Sequence, residues 1–136
     1  MRPALQVYGP VSRGAFAVAV LVSLAVLFAP GSDVPSAPPG VDKVVHGLLF
    51  LALALTGRWA GIRQSLLGAA LVGYAVVSEV VQGLSPLERS ASVGDLLADV
   101  VGLLVGLALW GLVARRTGGG SPTVLRRDDP PGSLTA

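Results

Sequence analysis

Five ionisable residues, Asp42, His46, Glu79, Asp95 and Asp99, stand in or beside long apolar runs of this 136-residue chain. Carboxylates gathered around one imidazole can move protons, hold a cation or grip a polar head group. Such groups are costly in lipid, so their presence in apolar runs marks a functional site. Their spacing groups them. Asp42 and His46 are four residues apart and share one face of a helix beginning at Asp42, where Asp42 would also cap the N-terminus. Glu79 and Gln82, three apart, share a second face. Asp95, Asp99, Gly102 and Gly106 recur at spacings of four, three and four, a continuous stripe that is acidic at one end and glycine-lined below.

The elements that carry these residues follow from composition. Hydrophobic residues make up 52% of the chain and charged residues 13%, with a mean hydropathy of +0.72, far from the balance of a soluble domain. The chain therefore reads as an all-α integral membrane protein, long enough for one bundle of short spans and two tails. With no cysteine there are no disulfides and no thiolate metal sites.

Four apolar stretches define the expected bundle, at 14–29, 44–60, 65–82 and 93–114. Together they form one membrane domain over 14–114, between an N-terminal tail of residues 1–13 and a disordered tail of residues 115–136 rich in Gly, Pro and Ser. Pro30-Gly31 and the proline-rich segment through Pro39-Gly40 end the first stretch. The alternative reading of that stretch, a cleaved signal peptide, fits less well because no clear small-x-small cleavage site follows it.

Basic residues set the expected orientation. With the N-terminus inside, Arg2, Arg13, Arg58, Arg63, Arg115, Arg116, Arg126 and Arg127 are cytoplasmic, and only Lys43 and Arg89 lie outside. Trp59 and Trp110 then suit an aromatic belt on the cytoplasmic side. Both termini are expected in the cytoplasm, and every residue of the polar set falls at an extracytoplasmic helix end. Gly102-x-x-x-Gly106 permits close helix approach and turns the aspartate face into the bundle. Span three has a comparable stripe, Gly68, Val72, Ala75, Glu79 and Gln82, placed to face the stripe of span four.

The order of the polar residues, Asp42-Lys43-x-x-His46, Glu79-x-x-Gln82, Arg89, Asp95, Asp99 and Gly102, resembles the VanZ-like family. That family has the same succession of Asp-Lys-x-x-His, Glu-x-x-Gln and an Arg followed by Asp-x-x-x-Asn-x-x-Gly. The resemblance covers residues 42–106, with Asp99 where the family more often has Asn. It implies a protein of the bacterial plasma membrane and cell envelope, similar to the one that lowers teicoplanin susceptibility without making altered wall precursors.

The first functional expectation is an outer-leaflet pocket that binds or remodels a surface ligand: a lipid head group, a lipid-linked wall precursor or a glycopeptide. Its ligand-binding residues would be Asp42, Lys43, His46, Glu79, Gln82, Arg89, Asp95 and Asp99, with Lys43 and Arg89 as phosphate contacts. The alternative is a membrane-embedded acid–base or metal-dependent enzyme, with His46, Glu79, Asp95 and Asp99 as catalytic candidates. A small transporter fits less well, because the polar set is confined to the outer part of the spans. In a purely structural reading the charges would only pair with each other. No cofactor or metal is assigned. The expected partners are membrane lipids and, as an open alternative, further copies of the chain; no nucleic acid is expected.

Overall fold

Glycine, proline and serine set the limits of the helices. The computed structural model describes residues 7–33, 35–84 and 90–117, which form α1 (Pro10–Leu27), α2 (Val41–Trp59), α3 (Gln64–Gln82) and α4 (Val93–Thr117), with a 3-10 turn at Gly31–Asp33. Pro10 occupies the first turn of α1, where its missing N–H costs nothing, so the helix starts earlier than the apolar run at residue 14 suggests. Gly40, at φ +91°, takes the N-cap position of α2 and has no side chain with which to cap it. Asp42 is therefore not the cap. It sits within the first turn, where its charge still suits the positive end of the helix. α4 continues to Thr117, so Arg115 and Arg116 belong to its last turn rather than to a tail. The remainder of the expected C-terminal tail, and residues 1–6, lie outside the described residues.

α2 is the hub, packing most extensively against α4 and also touching α1 and α3. The bundle it organises is apolar outside and partly polar within. Leu21, Leu48, Leu66, Leu97 and Leu104 are exposed, whereas His46, Ser78, Glu79, Gln82, Asp95 and Asp99 are buried. That distribution inverts a soluble core and suits a lipid surround. α1, α3 and α4 are each long and apolar enough to cross a membrane, which marks a membrane protein. α2 is not among them. It carries Asp42 and Lys43 at one end and Arg58 at the other, and it packs against all three of its neighbours while keeping Val44 and Leu48 exposed.

A small apolar core of Leu27, Phe50, Leu53, Ala54, Leu67, Leu71, Ala75 and Leu103 joins all four helices. Tyr74 fixes α3 to it: its ring stacks on Phe50 with centroids 5.7 Å apart, and its hydroxyl lies 3.0 Å from Ser23 Oγ of α1.

The glycine stripe of α4 turns to α2, not to α3 as the matching stripes suggested. A Cβ on Gly102 would overlap the Gly47 carbonyl, and one on Gly106 would lie 2.7 Å from Ala54 Cβ. The notch that receives α4 is Gly47, which gives α2 a bare backbone one residue after His46. From α3, Gly68 comes no closer to α4 than the end of Leu107, and Val72 is exposed.

Gly102→Ala is expected to destabilise the protein by about 1–3 kcal/mol, because the methyl group meets backbone that cannot move aside. Gly73→Ala, in open space, should be neutral or slightly stabilising. Thermal unfolding of the two variants in one detergent measures the contrast.

Candidate functional site

Three helix ends meet at one end of the bundle: the start of α2 supplies Asp42, Lys43 and His46, the last turn of α3 supplies Glu79 and Gln82, and the start of α4 supplies Asp95 and Asp99. The close α2–α4 approach brings His46 Nδ1 to 2.9 Å from Asp99 Oδ1, with both residues fully inside the protein at 1% and 0% exposure. With Asp99 ionised, this hydrogen bond places the proton on His46 Nδ1. Glu79, 6% exposed, reaches the same nitrogen from α3, with Oε1 3.8 Å away. On the other side of the ring, His46 Nε2 lies 4.0 Å from Asp42 Oδ1, whose side chain is half exposed.

Above this trio, Lys43 Nζ donates to Asp95 Oδ1 at 3.1 Å. The lysine is half exposed while Asp95 is buried, so the pair forms the rim between water and the interior. It offsets the charge of Asp95. The deeper trio has no such counterweight: with both carboxylates ionised, even an imidazolium at His46 would leave a negative charge buried. Buried charge is tolerated only when paired and fully hydrogen-bonded. Here it is not fully bonded, since His46 Nε2, Glu79 Oε1 and Asp99 Oδ2 have no hydrogen-bond partner.

Ser92 was not among the residues singled out in the sequence, and it organises the site. Its side-chain oxygen accepts from Asp95 N–H at 3.3 Å, capping α4, while its own N–H donates to Glu79 Oε2 at 2.8 Å. In a capping box the acid three residues on would take that N–H. Asp95 stands at that position but is turned to Lys43, and Glu79 of α3 replaces it from across the bundle. Ser92-Val93-Gly94-Asp95 is the sequence signal that could have located the cap.

Gln82 has a different place from the one expected. Its Nε2 donates to Leu27 O at 2.8 Å, tying α3 to one of the terminal carbonyls of α1, so this amide clamps helices together. Gly102 and Gly106 line the α2–α4 seam. Arg89 lies outside the described residues.

Fold and site together define a small helical membrane protein with a buried imidazole–carboxylate cluster at one end. No family model, curated protein or solved structure matches the chain.

Removing one member of the trio should cost more than removing all of its charge. His46→Ala is expected to lower stability by about 3–5 kcal/mol, because Asp99 and Glu79 lose their only close cation among the described residues. The combination His46→Leu, Glu79→Gln and Asp99→Leu should recover most of that loss, as read by thermal unfolding in detergent.

Proposed function

We propose that this chain is a VanZ-like membrane protein of the bacterial plasma membrane, with all four helices crossing the bilayer, both ends cytoplasmic and the polar cluster at the outer leaflet. On this reading it binds an anionic envelope lipid, a head group or a lipid-linked wall precursor, with lowered teicoplanin susceptibility as the cellular outcome. The order of polar residues from Asp42 to Gly102 supports the family, and the eight-to-two distribution of basic residues supports the orientation.

One observation carries the lipid reading. An open apolar furrow of about 270 Å³ runs between α2 and α4 along Gly47, Leu51, Ala98, Gly102 and Val105, and Lys43 stands at its polar end. A furrow of that kind takes an acyl or isoprenoid chain along its length, and a half-exposed ammonium at its mouth takes the phosphate. Lys43 already touches Asp95, so a bound phosphate would share it rather than meet a free charge.

The buried His46–Asp99 hydrogen bond favours a second reading, in which the same site performs acid–base chemistry on the lipid it holds.

Two measurements separate these claims. In nanodiscs, Lys43→Ala is expected to weaken the preference for phosphatidylglycerol over phosphatidylcholine about tenfold, with Lys43→Arg retaining it; an unchanged preference in Lys43→Ala removes the head-group role. Because the chain lacks cysteine, topology is directly readable. Ser36→Cys should react with an impermeant maleimide on intact cells, and Arg63→Cys only after permeabilisation. In cells, deletion and complementation scored by glycopeptide susceptibility, with Glu79→Gln as the site control, tests the resistance outcome.

A further inference from the structure

We infer that His46, Glu79 and Asp99 form a binding site for one divalent transition-metal cation. The inference goes beyond lipid binding and does not rest on it.

Each residue comes from a different helix, and one ligand atom from each lies within 4.8 Å of the others. A tetrahedral ion with bonds of ~2.0–2.1 Å holds its donors roughly 3.3 Å apart. The separations from His46 Nδ1 to Asp99 Oδ1 and to Glu79 Oε1, 2.9 and 3.8 Å, bracket that spacing.

The unused atoms point the same way. A proton on His46 Nδ1 satisfies Asp99 Oδ1 and leaves Glu79 Oε1 and Asp99 Oδ2 buried without donors. One cation satisfies several oxygens at once and balances both carboxylates with a neutral imidazole, the proton leaving Nδ1 for solvent as the ion binds.

The surroundings match what metal ligands need. A ligating histidine usually turns its other N–H to a carboxylate, and the carboxylate nearest His46 Nε2 is Asp42, whose Oδ1 at 4.0 Å would have to close in by about 1 Å to accept from it. A ligating carboxylate is usually held by a further hydrogen bond, and Ser92 N–H holds Glu79 Oε2, which leaves Oε1 directed into the cluster. An imidazole with two carboxylates selects zinc or a neighbouring first-row ion over calcium or magnesium, and three protein ligands leave a position for water or a ligand oxygen.

The full-length protein, purified in detergent and stripped with chelator, should take up one equivalent of Zn²⁺ or Co²⁺ per chain. Co²⁺ should give ligand-field absorption typical of four or five N and O donors. Glu79→Gln and Asp99→Asn should each weaken uptake at least tenfold, while Arg63→Ala, at the opposite end of α3, should leave the stoichiometry at one. Failure of the wild-type protein to bind either ion, or uptake unchanged in both carboxamide variants, overturns the site. If those variants do not fold, X-ray absorption of the zinc-loaded wild type decides: imidazole scattering with oxygen neighbours supports the site, and its absence refutes it.

Discussion

The contact of α2 with α4 at Gly47 and Gly102 governs the geometry of everything above it. Two helices whose backbones touch there must present their next outward turns to each other, and those turns carry His46 and Lys43 on one side and Asp99 and Asp95 on the other. A wider separation would take the imidazole out of hydrogen-bond range of Asp99. The missing side chains at the seam are therefore part of the site, although they lie below it and touch none of its polar atoms.

The same contact resolves an apparent conflict in hydropathy. α2 is the one helix of the four that is not apolar enough along its length to count as a candidate span, yet it packs against all three others. The carboxylates of α3 and α4 meet its cationic and imidazole groups. The apolar helices α1, α3 and α4 turn their leucines and valines outward, and the shared interior holds a modest hydrocarbon core beneath an ionic layer. Packing strength thus resides in the lower part of the bundle, at Phe50, Leu53, Leu67, Tyr74 and Leu103, and chemistry in the upper part.

Much of this was legible in the sequence, because long apolar runs interrupted by Pro and Gly admit few arrangements. The four helices follow the four runs, with shifts at Pro10, Val41 and Thr117 where capping and dipole effects, not hydropathy, set the ends. The helix spacing put Asp95, Asp99, Gly102 and Gly106 on one face, but periodicity describes a single helix and not its partner. Gly47 lies in a leucine-rich run with no small-residue repeat to advertise it, whereas the stripe of α3 is plain in the sequence and points to the wrong partner. The roles of Ser92 and Gln82 were hidden for another reason: both act through backbone groups, Ser92 by its N–H and Gln82 on the Leu27 carbonyl, and such groups leave no mark in a sequence.

Glu79 has one oxygen committed to the start of α4 and the other directed at His46. Its length is what allows both. An aspartate there, one methylene shorter, would have to retract from one of the two, and a glutamine would put an amide where one oxygen stands. Position 79 therefore admits little drift in either size or charge: the foot of α4 and the interior cluster are held in register by a single rigid carboxylate plane, and any displacement of one is transmitted to the other.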